Sequence, residues 1–220
     1  MTRIITIANQ KGGVGKTTTT VNIAAAMAQV GKTVLVIDMD PQGNATTALG
    51  IEHSEGTPGI YNVLMGETFL AEVITPCPDV PQLFGIPATI DLAGAEVELV
   101  STLNREHRLR EEIEQLLRTV HFDYIFLDCP PSLGLLTLNG LVAAREVLLP
   151  IQCEYYALEG LSQLLKTVDM IKEHLNPQLY VTAIILTMYD GRTRLASQVA
   201  DEVRNHFGAR VLETIIPRNV

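Results

Sequence analysis

Five short runs of Val, Ile and Leu, apolar on both faces, limit what this chain can become: "RIITIAN" (3–9), "KTVLVID" (32–38), "YIFLDC" (124–129), "EVLLPI" (146–151) and "YVTAIILT" (180–187). A strand with one wet face alternates polar and apolar residues. Runs without that alternation need cover on both sides, as helices provide over a parallel sheet. The intervening segments have the right character. "TTTTVNIAAAMAQVG" (17–31) is Ala-rich and ends in Gly31, a natural helix stop. "NREHRLREEIEQLLRTV" (104–120) interleaves charge with Leu and Ile at helical spacing, and "LEGLSQLLKTVDMIKEHL" (158–175) repeats apolar residues every three or four positions. Strand and helix signals in alternation predict an α/β class, doubly wound, with a mostly parallel sheet flanked by helices.

Residues 50–90 are less regular, punctuated by Gly50, Gly56, Pro58, Gly59, Pro76, Pro78, Pro81 and Pro87. They read as short helices and an edge strand around "QLFGIPA", inserted within the same domain. At 220 residues and 47% hydrophobic, the chain suffices for one well-cored domain or two small ones, and the absence of linkers or repeats favours a single domain over 1–220. No apolar run approaches the roughly 18 residues that cross a bilayer. The start "MTRIITIANQ" lacks the apolar stretch of a signal peptide, so a cytoplasmic protein is expected. Cys77, Cys129 and Cys153 are too scattered for a disulfide framework or a paired-cysteine metal site. They read as reduced thiols packed as small hydrophobes.

Between the first strand and the first helix lies "ANQKGGVGKTTTT" (8–20). A phosphate-binding loop follows G-x-x-x-x-G-K-[ST], which puts its last letters on Gly15, Lys16 and Thr17. Residue 10, where the opening glycine belongs, is Gln, and a second lysine, Lys11, follows it. Gly12, Gly13, Val14 and Gly15 form the turn; its glycines permit the positive φ angles that aim successive N–H groups at phosphate oxygens. The positive end of the following helix adds to that field. Lys16 is placed to reach the β- and γ-phosphates, the Thr17 hydroxyl to ligate Mg2+, and Thr18 to bond the α-phosphate. This predicts a P-loop NTPase fold with ATP and Mg2+ as cofactors. Lys11 at the mouth of the loop either points toward a second subunit or is an ordinary solvated lysine.

Asp38 and Asp40 close the second apolar run and Asp128 ends the third strong one. Carboxyl ends of parallel strands are where such folds place ligands, although an aspartate there also serves as a turn former. Late in the chain Arg192, Arg194, Arg204, Arg210 and Arg218 cluster against a net charge of −9. The overall field repels phosphate, so any nucleic-acid binding needs a local basic patch. The alternative is a solvated face whose arginines pair with Asp201 or Glu202.

"KGGVGKTT", with its early lysine, resembles the deviant Walker A motif of the ParA/MinD ATPases. "DMDPQGNAT" (38–46), "FLDCPPSLG" (126–134), "EYYALEGL" (154–161), "TMYDGRT" (187–193) and "IIPRNV" (215–220) resemble its chromosomal ParA (Soj) branch. The resemblance implies a slow ATPase acting in chromosome or plasmid segregation, as an ATP-dependent sandwich homodimer. Lys11 would cross to the partner subunit's ATP and count with Lys16 and Asp40 as catalytic. Asp128 matches the acid that holds Mg2+ through water, with Asp38 in support, and Asp40 matches the residue that orients or activates the attacking water. The base would rest against Thr187, Met188, Pro217 and Asn219. Arg192, Arg194 and Arg218 are the candidate contacts to non-specific double-stranded DNA. A ParB/Spo0J-type partner would stimulate hydrolysis, placing the protein on the nucleoid and not on a membrane. Relatives continue past "IPRNV", so a C-terminal segment of the family is expected to be missing. Other readings are a MinD-like membrane-surface ATPase, which needs a basic amphipathic C-terminal helix; a metal-cluster carrier, for which Cys129 lacks a companion cysteine; and a small-molecule ligase, for which no substrate motif is seen.

Overall fold

The computed structural model describes residues 1–154 and 157–218. Along the chain come β1 (Arg3–Ile7), α1 (Lys16–Gln29), β2 (Val34–Asp38), α2 (Asn44–Ala48), α3 (Ile60–Met65), β3 (Thr75–Pro76), β4 (Leu83–Ile86) and α4 (Leu92–Glu98). There follow α5 (Arg108–Leu116), β5 (Tyr124–Asp128), α6 (Leu135–Ala143), β6 (Glu146–Gln152), α7 (Ala157–His174), β7 (Tyr180–Tyr189), α8 (Arg194–Phe207) and β8 (Val211–Pro217). The strands form one eight-stranded sheet in the order β3-β4-β2-β5-β1-β6-β7-β8. All neighbours are parallel except β3 against β4. This is the doubly wound, mostly parallel α/β sheet that the apolar runs predict.

β2 shows why those runs carry no polar alternation. All five of its residues are buried. Val34 and Val36 pack on one face with Ile5, Ile7, Phe126 and the small Ala24 and Ala28 of α1. Leu35 and Ile37 pack on the other with Ile125, Leu127, Leu109, Ile113 and Leu136. Burying each such aliphatic side chain contributes about 1.5–3 kcal/mol, so a polar substitution on either face of β2 is costly. A third cluster joins β6 and β7 to α7 and α8 through Leu149, Ile184, Leu164, Val168 and Val203.

The helix boundaries follow local chemistry. α1 stops where Gly31 takes φ +85°. Gly31 N–H donates to the Ala28 carbonyl (2.9 Å) and Lys32 N–H to the Met27 carbonyl (3.1 Å), a Schellman ending. α5 is shorter than the 104–120 segment read from its periodicity. Asn139, on α6, takes over its start: Oδ1 accepts from Leu109 N–H (3.2 Å) while Nδ2 donates to the Arg105 carbonyl (2.8 Å). That side chain satisfies the N–H donor and the carbonyl acceptor that a longer helix would have paired with each other.

Both edges of the sheet differ from expectation. "QLFGIPA" yields β4, which is not an edge, because Thr75–Pro76 pairs antiparallel on its outer side. Two residues ending in proline leave no readable period, though an edge is where a sheet tolerates proline. At the other end β8, "VLETIIP", pairs parallel to β7. Its middle residues are exposed, so it lacks the doubly apolar signature of the inner strands. The chain winds outward from β1 to one side and then to the other. That places the β1–α1 loop, Asp38 and Asp128 at the carboxyl ends of central, adjacent strands. Among the described residues no helix is long and apolar enough to cross a membrane.

Candidate functional site

Gly13 (φ +72°) and Gly15 (φ +84°) adopt the left-handed backbone that the loop requires, Gly15 at the N-cap of α1. Gly12, Gly13, Gly15, Lys16, Thr17 and Thr18 line a cleft of about 630 Å³, with Asp40 and Met188 among its other walls. Val14 is buried beneath, and its carbonyl accepts from the Thr187 hydroxyl (2.8 Å) at the end of β7. Lys16 is only 7% exposed, and its Nζ donates to the Lys11 carbonyl (3.3 Å). Burial pulls its pKa below the ordinary lysine value, opposed by the fields of Asp128 and Asp40. A desolvated ammonium at the floor of a glycine turn is a strong anion site.

Asp38 and Asp128 sit side by side in register on β2 and β5, both fully buried. Asp128 accepts from the Thr17 hydroxyl (2.7 Å) through Oδ2 and from Thr20 (2.8 Å) through Oδ1. Burial pushes its pKa up to about 7, against those two hydroxyls. Asp38 is occupied otherwise: Oδ2 accepts from Thr46 N–H (2.8 Å) and hydroxyl (2.7 Å), and Oδ1 from Asp40 N–H (3.1 Å). Burial raises its pKa to about 6. Asp38 therefore holds the start of α2 and orients Asp40, whose own carboxylate accepts from Gln42 N–H (3.0 Å). Among the described residues no three His, Cys, Asp or Glu side chains converge as a metal cage. Thr17 beside Asp128 suits a cation that takes its other oxygens from phosphate and water, as Mg2+ does. The residues present thus fit a magnesium nucleotide.

A second lobe of about 430 Å³ continues from the first through Gly15, Thr18 and Met188 to Thr187, Ile216, Pro217 and Arg218. Met188 turns between the lobes with φ +49°, a conformation uncommon for a residue with a side chain. Thus Met188 and Pro217, at the ends of β7 and β8, meet beside the loop. Asn219 lies outside the described residues. Lys11 directly precedes Gly12 of the cleft wall, and its ammonium pairs with the Glu154 carboxylate just past β6.

A family described as an AAA domain (AAA_31) matches residues 2–181. Across all 220 residues the chain is 53% identical to the sporulation initiation inhibitor protein Soj of Bacillus subtilis (strain 168), of which it covers 86%. It is 54% identical over 218 residues to the chromosome partitioning protein ParA of Myxococcus xanthus, covering 99% of this chain and 76% of that one. The chain belongs to the Soj/ParA family of chromosome-partitioning ATPases. The family fold is shared by a solved Mycobacterium smegmatis protein, described as a cobyrinic acid a,c-diamide synthase, with bound ATP analogue and magnesium. The two match with a TM-score of 0.91 at 40% identity, over all of this chain and 88% of that one.

Of the three arginines named as candidate DNA contacts, the two that the family resemblance singles out, Arg192 and Arg218, come together. Arg192 forks onto Asp190 through Nε (2.9 Å) and Nη2 (2.8 Å). Arg218 N–H donates to the Tyr189 carbonyl (3.0 Å), bringing its charge into the field of the same aspartate. Asp190, and not Asp201 or Glu202, is therefore the carboxylate that engages this patch, and Arg192 beside it holds its carboxyl well below the usual range. Arg194 is exposed at the start of α8. Four supporting residues escape the sequence reading: Thr20, Thr46, Asn9 and Glu154. Thr20 alone had a legible signal, since it lies three residues after Thr17 and so on the same helix face.

Proposed function

We propose that this chain is a slow ATPase used as a switch in chromosome or plasmid segregation, acting as an ATP-dependent sandwich homodimer. The observation that carries the reading is the division between its two loop lysines. Lys16 is buried within the loop, whereas the Lys11 side chain is half-exposed and paired with the surface carboxylate of Glu154. An ammonium about 4 Å from a phosphate charge gains on the order of 4 kcal/mol at an effective dielectric near 20. Lys11 given to a partner's triphosphate thus rewards ATP over ADP, which lacks the outermost charge.

Within one subunit, the N–H groups of Gly12, Gly13, Val14 and Gly15 hold the phosphates, with Lys16 on the β- and γ-groups and Thr18 on the α-group. Thr17 holds Mg2+ directly and Asp128 through water, with Asp38 fixing the neighbouring backbone. When bound, magnesium neutralises negative charge on the phosphate oxygens. Asp40, held at the cleft wall by its N–H bond to Asp38, orients the attacking water and accepts its proton. Met188 and Pro217 flank the base, as the second lobe allows.

Arg192, Arg194 and Arg218 contact DNA phosphates without reading sequence. One copy of the patch binds weakly; a dimer presents two and binds much better. A ParB/Spo0J-type DNA-binding partner stimulates hydrolysis and releases the dimer, so the protein works in the cytoplasm, on the nucleoid. The partition proteins at 53% and 54% identity are stronger guides to this activity than the synthase at 40%.

Sizing by light scattering with ADP, ATP and a non-hydrolysable analogue, with and without random-sequence duplex, tests the reading. A dimer with triphosphate that captures duplex in low salt is expected. A monomer under saturating magnesium and analogue removes the switch; a dimer indifferent to duplex removes the DNA half.

A further inference from the structure

The main chain of Lys11 is fixed from two directions. Asn9 donates through Nδ2 to the Pro150 carbonyl of β6 (2.7 Å) and accepts from Lys11 N–H through Oδ1 (3.0 Å). From inside the loop, Lys16 Nζ donates to the Lys11 carbonyl. The freedom left to Lys11 is therefore in its side chain, which folds back onto its own subunit to meet Glu154. Glu154 is itself steadied: its other carboxylate oxygen accepts from the Gln152 amide, and its N–H donates to the Gln152 carbonyl (2.8 Å). The pair is wet, with the Lys11 and Glu154 side chains 51% and 45% exposed. An ion pair in that setting is weak and screened by salt, so several phosphate charges displace it.

We propose that Glu154 is a positioning residue for Lys11: it keeps the ammonium at home in the lone subunit and yields it on association. This rests on the cross-subunit reading of Lys11 and names the group that competes for that lysine. Association exchanges one carboxylate contact per subunit for the partner's triphosphate. The geometry suits an exchange because the backbone on both sides of the lysine stays bonded while its side chain changes acceptor. A diphosphate, with less charge to offer, competes less well against Glu154, so the carboxylate sharpens the discrimination between nucleotides.

The test follows self-association by light scattering over a range of protein concentration, with magnesium and a non-hydrolysable ATP analogue. Wild type, Glu154→Gln, Glu154→Asp, Lys11→Ala and the Lys11→Ala/Glu154→Gln double variant are compared. Glu154→Gln should lower the concentration of half-association about fivefold, the value expected for freeing two weak pairs, and the gap should shrink as salt rises. Glu154→Asp, which keeps the charge, should stay near wild type, and the double variant should remain monomeric like Lys11→Ala. A Glu154→Gln midpoint equal to or above that of wild type overturns the proposal, as does association of the double variant while Lys11→Ala alone stays monomeric. Association of Lys11→Ala itself as in wild type sinks the cross-subunit reading instead, which separates the two failures.

Discussion

Thr187, at the end of β7, donates its buried hydroxyl to the carbonyl of Val14 at the apex of the phosphate loop, over 2.8 Å. The two are 173 residues apart, and the bond ties the strand bearing Met188 to the loop that ends in Lys16. Thr187→Val preserves shape and removes only the donor. Stranding a buried carbonyl costs about 1–3 kcal/mol, so the urea midpoint should fall by that equivalent. Nucleotide affinity should weaken too, because both lobes of the cleft meet at this junction. An unchanged affinity in fluorescence titration would show that the loop holds its shape without the strand.

Asp38 and Asp128 give a pH dependence with a definite sign. Burial raises both, to about 6 and about 7. The folded state therefore binds their protons more tightly than the unfolded state. Their contribution to stability is complete below the unfolded value near 3.8 and is lost as pH rises through 6 and 7. One such group imposes a slope of up to about 1.4 kcal/mol per pH unit between its two pKa values. Calorimetry in EDTA, without nucleotide, should show Tm declining across that window. Asp128→Asn should flatten the decline; a steeper one would contradict the assignment.

The loop and the cleft wall should separate binding from turnover. Lys16→Ala removes the buried cation and should abolish nucleotide binding in a fluorescence titration. Asp40→Ala should still bind ATP yet turn it over at least about 100-fold more slowly, the usual contribution of a positioned general base, and accumulate as an ATP-loaded dimer in scattering. Brisk phosphate release from Asp40→Ala would strike Asp40 from the mechanism.

The basic patch should respond unevenly. Arg192 already spends its fork on Asp190, whereas among the described residues no ion pair involves Arg218. Arg218→Ala should therefore weaken duplex binding more than Arg192→Ala, and reduce the salt slope of a dimer by about 2. Asp190→Asn should tighten binding by releasing Arg192. Filter-binding isotherms at several salt concentrations decide this, and tighter binding by Arg218→Ala would remove it from the interface.

The sequence made the inner sheet legible because those strands are covered on both faces, and a doubly apolar run such as "VLVID" has few other uses. It made the loop legible because glycine spacing is dictated by backbone angles, as Gly13 and Gly15 bear out. The edges were hidden for the opposite reason. β3 is two residues long, and β8 exposes Leu212, Glu213 and Thr214 in its middle. The carboxylates were visible as strand-terminal aspartates, but their partners were not. Thr46 reaches Asp38 only once α2 folds back on β2, and Glu154 reaches Lys11 only because β6 lies beside β1. Contacts between distant segments follow from topology and leave no periodicity.

Asn9 and Lys16 together engage both the N–H and the carbonyl of Lys11 without using its side chain. In the proposed dimer, reaching across to another molecule would then be a matter of rotating a flexible stem, which takes picoseconds to nanoseconds. No segment would have to melt first, so the tempo of the proposed pairing would fall to diffusion and encounter.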